Sequence, residues 1–121
     1  MEHFIWFFEI PAIDFSRATS FYRAILGIDI EVVDMNGIQM GLFPNDGKAV
    51  SGAVVKGNYK PSAEGVIVYL NGGDDLQTIL DKVVAASGKV LVPKSEIGPD
   101  IGFYALFMDT EGNRLGLHSQ G

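Results

Sequence analysis

The chain has 121 residues, 47% hydrophobic and 20% charged, and its 15 acidic against 9 basic side chains give a formal charge of −6. That length suits one domain with a sizeable core and leaves no room for a second. The charge is scattered, so there is no Lys or Arg cluster for nucleic acid and nothing to attract anionic lipid, and no apolar run reaches the roughly 20 residues of a membrane-spanning helix. There is no cysteine, hence no disulfide and no thiolate metal site. Met1 to Trp6 lacks the basic region and cleavage site of a signal peptide, so the cytoplasm is the expected location.

In chain order, Phe4 to Ile10 has strand character and leads to Asp14, a helix-capping residue. From there Phe15, Ala18, Phe21, Tyr22, Ile25 and Leu26 recur at helical spacing up to a terminating Gly27. Ile28 to Val33 is the next strand. Met40 to Phe43, a turn at Pro44 to Gly47, and a strand containing Gly52-Ala53-Val54 form a hairpin. The stretch from Asn58 to Ala63 is the one convincing linker.

The same order then returns. Val66 to Leu70 is strand-like, and Asp75 to Gly88 is a capped helix with Leu76, Ile79, Leu80, Val83 and Val84 as its apolar stripe. Lys89 to Val92 is a strand, Ser95 to Asp100 is the longest loop, and Tyr104 to Phe107 turns at Asp109 to Gly112 into a strand holding Gly116-Leu117-His118. The expectation is an α+β domain of tandem βαβββ units, the first about 1–60 and the second about 61–121. About eight strands form one curved mixed sheet, with the helices on its outer face and a cleft between the units.

Within this order, Phe8-Glu9-Ile10-Pro11-Ala12-Ile13-Asp14, Arg17-Ala18, Phe21-Tyr22, and Asp109-Thr110-Glu111-Gly112-Asn113 followed by Gly116-Leu117 resemble the vicinal oxygen chelate superfamily. That superfamily includes glyoxalase I, bleomycin-resistance proteins and ring-cleaving dioxygenases, and the Phe-Glu-Ile-Pro strand is similar to its branch of glyoxalase-related proteins of unassigned reaction. The resemblance implies a scaffold that serves several chemistries and some non-enzymatic ligand binding. It also implies a homodimer, since paired domains close the open sheet.

Enzymes of the superfamily hold a divalent metal through His, Glu or Gln on the first and last strands of each unit. Carried onto this chain, those positions fall on Phe7, near Gly52, near Val68 and on Gly116, none of which donates to a metal. The expectation is therefore no metal and no other cofactor. Glu9 and His118 each lie two residues beyond a vacated position and by strand alternation face the same side. They are candidates for ligand contact, for proton transfer as base and orienting partner, or for a shifted metal site. The structural alternative is that they satisfy each other or a backbone group.

Phe7, Met40, Val68 and Gly116 complete the candidate ligand-binding set, and Tyr69, Phe103 and Tyr104 are cleft-wall candidates for which core packing is the simpler role. Phe4, Trp6 and Phe8 have the opposite parity and are expected to face the helices, while His3 is expected at a frayed surface. Gly72-Gly73-Asp74 is read as a turn rather than an anion loop. Lys94 to Glu96 is a solvated cluster on the long loop, which as a functional guess is a lid. The function that follows is binding of a small organic molecule in the cleft. The alternatives are an enzyme related to lactoylglutathione lyase or extradiol dioxygenases that uses Glu9 and His118, and a drug-sequestering module.

Overall fold

The computed structural model describes residues 4–47, 50–57 and 59–121; His3 and the linker residue Asn58 lie outside them. The first unit runs β1 (Phe7–Pro11), α1 (Phe15–Leu26), β2 (Glu31–Met35), β3 (Ile38–Leu42) and β4 (Ser51–Lys56). The second runs β5 (Tyr69–Asn71), α2 (Gln77–Ala85), β6 (Lys89–Gly98), β7 (Gly102–Met108) and β8 (Arg114–Ser119). Strand order is β1-β4-β3-β2 in one sheet and β5-β8-β7-β6 in the other, with the first and last strands of each unit parallel. The repeated βαβββ unit is thus present twice with one topology. The strands divide into two four-stranded sheets instead of one continuous sheet, because β1 and β5 pair only with β4 and β8. Among the described residues the units meet through side chains and loops.

One core serves both units. Phe15, Ala18, Phe21, Tyr22 and Ile25 of α1 and Leu80 and Val83 of α2 pack with the inner faces of both sheets, Ile10 and Val54 on one side and Leu70, Ala105, Phe107 and Leu117 on the other. Helix α1 forms as its sequence dictates. Asp14 is extended and accepts from Arg17 N–H at 3.0 Å, and Gly27 closes the helix in the left-handed region at φ 63°.

Helix α2 is shorter than its periodicity predicts. Asp75 accepts from Gln77 N–H at 2.9 Å, the first turn is drawn tight by i→i+3 bonds from Thr78 and Ile79, and the Leu76 N–H, which has no partner within the helix, is given to the Ser119 hydroxyl. At the other end Ser87, not Gly88, takes the left-handed conformation, at φ 75°. Gly88 has a packing role instead: a Cβ there would stand 2.7 Å from Phe21, 2.8 Å from Val83 and 2.9 Å from the Met108 carbonyl oxygen. Gly88→Ala is expected to destabilise by about 2 kcal/mol through overpacking. Urea unfolding would check this, and an unchanged midpoint would remove the packing role.

Two expectations fail here. Ser95 to Gly98 is not a loop: β6 continues there with register shifts, pairing Ser95 with Tyr104 and Glu96 with Phe103, so only residues 99–101 turn. Lys94 is anchored 2.8 Å from Asp75 and 4.6 Å over the Phe103 ring, and this cluster is part of a hairpin rather than a lid. Phe4 and Trp6, 95% and 90% exposed, do not reach the helices, because β1 and its ladder to β4 begin at Phe7. Phe8, of the same parity, does pack against the core.

Candidate functional site

The side of each sheet turned away from the core carries the candidate residues. On β1, Ile10 is buried and Phe8 packs inward, so Phe7 and Glu9 face outward, with Phe7 39% exposed. Met40 is on the same outer face. Its neighbour Gly41 points at Ile30, Thr19 and Phe15, which leaves Met40 to alternate outward, half-buried between Val33 and Val55. The Glu9 carboxylate accepts a hydrogen bond from the Tyr59 hydroxyl, which comes from the connector between the units. Burial, reinforced by that carboxylate, pushes the Tyr59 pKa up to about 12, so the phenol stays a donor.

On the second sheet, Leu70, Leu115 and Leu117 are buried, and Tyr69, Gly116 and His118 alternate outward. Tyr69, Ile97, Tyr104 and His118 line an open depression of about 400 Å³. Tyr104 stands opposite His118 across the β7–β8 ladder, and Tyr69, 49% exposed, lies beside Gly116. His118 Nε2 is 2.8 Å from the Ile101 carbonyl oxygen. The structure therefore does not bring Glu9 and His118 together: one bonds Tyr59, the other a backbone carbonyl, and they border different depressions. Glu9 sits in a narrower crevice of about 170 Å³ with Pro11, Lys60, Val68 and Arg114. Val68, just ahead of β5, also packs against the core, and the outward place at the start of that strand belongs to Tyr69.

Gly52 and Gly116, two of the four positions carried over from the resemblance, have no room for a side chain. A Cβ at Gly52 would stand 2.6 Å from the Phe8 ring, on the core side, and one at Gly116 would stand 2.3 Å from the Tyr69 ring, on the outer side. Among the described residues no three His, Asp or Glu side chains gather where they could hold an ion. This donor set does not fit a catalytic divalent metal.

Sequence reasoning named Tyr69 and Tyr104 but missed Ile97, which a loop assignment hid. A period-two continuation of β6 was the available signal. It also missed the polar network of the β7–β8 turn. Glu111 accepts from the N–H groups of Ile13 and Asp14 at 2.9 and 2.7 Å and from Arg17 Nε at 2.7 Å. Burial raises the Glu111 pKa, but the Arg17 guanidinium, the Asp14 N–H and the Thr110 hydroxyl outweigh it and hold the carboxyl down at about 2. Asp109 accepts from the Tyr22 hydroxyl at 2.7 Å and from the Glu111 and Asn113 N–H groups. These residues tie the second unit to the start of α1.

Two βαβββ units sharing a core, each with an outward sheet face beside its first strand, define a glyoxalase-type scaffold. The chain belongs to the Glyoxalase/Bleomycin resistance protein/Dioxygenase superfamily, whose family model matches residues 3–117. A glyoxylase-like domain-containing protein from Didymella fabae is 32% identical over 110 residues, 87% of this chain and 84% of that protein. Among solved structures, an antibiotic binding protein from Streptomyces superposes with a TM-score of 0.68 at 23% identity, covering 100% of this chain and 98% of that one. A genomically encoded fosfomycin resistance protein from Listeria monocytogenes gives 0.74 at 11% identity, covering 100% and 93%. At these identities the structural likeness is one of fold.

Proposed function

We propose that this chain binds a small organic molecule on the outer sheet faces, without a divalent metal, and acts as a cytoplasmic binding protein rather than through the metal-dependent chemistry of glyoxalase enzymes. The observation that carries the reading is the depression of about 400 Å³ lined by Tyr69, Ile97, Tyr104 and His118, within the size range of small-molecule sites. Its walls are mainly apolar, with few polar groups to fix orientation. The relative described as an antibiotic binding protein supports the same direction. The depression is open on one side, and we propose that a second copy of the chain closes it in a homodimer. Exposed apolar side chains on both sheets, Val32, Met35 and Ile38 on the first and Leu91 and Ile97 on the second, favour such a partner.

A thermal-shift screen of organic compounds on the full chain, paired with mass measurement by light scattering, tests both parts. The expectation is a dimer whose Tm rises by several degrees with a bound compound. Tyr69→Leu is expected to reduce that rise. A rise unchanged by Tyr69→Leu would move the site elsewhere, and a monomer at all concentrations would sink the closed cleft.

A further inference from the structure

The bond between His118 and Ile101 decides which ring nitrogen of the histidine carries the proton. Nε2 lies 2.8 Å from the Ile101 carbonyl oxygen, and a carbonyl oxygen has no proton to give. Nε2 is therefore the donor, and in the neutral ring Nδ1 keeps its lone pair. The 99–101 turn aims that carbonyl, and it tolerates little change. Gly102 sits at φ 96°, and a Cβ there would stand 2.4 Å from the Ser119 carbonyl oxygen and 3.2 Å from His118 Nε2. Among the described residues Nδ1 has no hydrogen-bond partner, and the ring lines the depression with Tyr69, Tyr104 and Ile97.

The floor beside the histidine is also defined. Gly116 lets the Tyr69 ring lie against β8, in the space a side chain there would take. A ligand there meets two phenol rings, an isoleucine and one imidazole. Two flat rings favour a planar partner through offset or edge-to-face contact. In so apolar a surround, a ligand that leaves the imidazole lone pair unpaired and dehydrated is penalised.

We infer that His118 is a specificity-determining residue: its Nδ1 accepts a hydrogen bond from a hydroxyl or N–H at the edge of a planar aromatic ligand that packs against Tyr69 and Tyr104. This rests on the small-molecule reading above and names the ligand class for that site. The imidazole selects among aromatic ligands by their donor, and the tyrosines supply affinity common to all of them.

Naphthol and methoxynaphthalene are matched probes, one with a donor and one without. Their dissociation constants are measured on the full chain at about pH 8. Naphthol is expected to bind about tenfold more tightly than the ether. In His118→Ala the two should bind alike, and Tyr69→Leu should weaken both about fivefold and keep their ratio. Nitrogen-15 NMR of the unaltered protein provides a readout independent of any variant. It should show the Nε2–H tautomer, with the Nδ1 resonance moving on addition of naphthol and not of the ether. Equal affinities in the unaltered protein, a ratio that survives His118→Ala, or an Nδ1–H tautomer would each overturn the inference. If neither probe binds while other screened compounds raise the Tm in a Tyr69-dependent way, the His118 inference falls and the binding reading stands. If no compound does, both fall.

Discussion

Glu111→Gln is expected to cost about 3 kcal/mol of unfolding free energy at neutral pH, although Glu111 lines neither depression. The Glu111 side chain is fully buried and takes up two N–H groups at the entry to α1 together with the Arg17 guanidinium. The amide keeps an acceptor for the backbone, but it loses the charge and turns a donor toward donors. A pH signature distinguishes this from a simple packing loss. The folded carboxyl titrates at about 2 against 4.5 for the free group, so its contribution is fully present above pH 4.5 and disappears as pH falls toward 2. Urea unfolding at a series of pH values should therefore show protein and variant well separated at neutral pH and converging near pH 2. A gap that stays constant across that range would refute the electrostatic account.

Asp109→Ala is the second large effect, about 3 kcal/mol, and for a different reason. This carboxylate is 4% exposed and accepts four hydrogen bonds, including one from the wholly buried Tyr22 hydroxyl. Removing it strands the Tyr22 hydroxyl and two backbone N–H groups without solvent to replace it. Tyr22→Phe removes only one donor and should cost about 1 kcal/mol. In the double variant the Tyr22 change should cost nothing further, because its partner is already gone. Thermal unfolding of the two single variants and the double variant measures this. Additive losses would mean that the Tyr22–Asp109 bond contributes nothing.

These residues also show why the Asp109-Thr110-Glu111-Gly112-Asn113 turn is so informative in sequence. It was legible as a hairpin turn, but its side chains are the joint between the units: Asn113 donates to the Pro11 carbonyl at 2.7 Å and accepts from Ser62 N–H at 3.1 Å. A motif that looks local therefore fixes β1, the connector and α1 at once. The outer sheet faces were legible in part. Strand alternation placed Phe7, Glu9 and His118 outward, as the structure has them. Whether Glu9 and His118 meet could not be read from the letters, since each satisfied itself elsewhere, with Tyr59 and with Ile101.

By itself the sequence determined the features that depend on a few neighbouring residues. Asp14 and Gly27 bound α1 because a capping carboxylate and a left-handed glycine act within one turn. The repeated βαβββ order follows from apolar periodicity, which each segment carries alone. Tertiary structure decided whatever joins distant segments. Glu111 meets Ile13 across 98 positions, Tyr59 meets Glu9 across 50, and Tyr69 settles on Gly116 because two parallel strands bring them level. Even the first turn of α2 is tied from outside, where Leu76 gives its N–H to the Ser119 hydroxyl. Local patterns reflect energies of neighbours in the chain, whereas these contacts exist only after two units have closed on one core, so no window of sequence contains them.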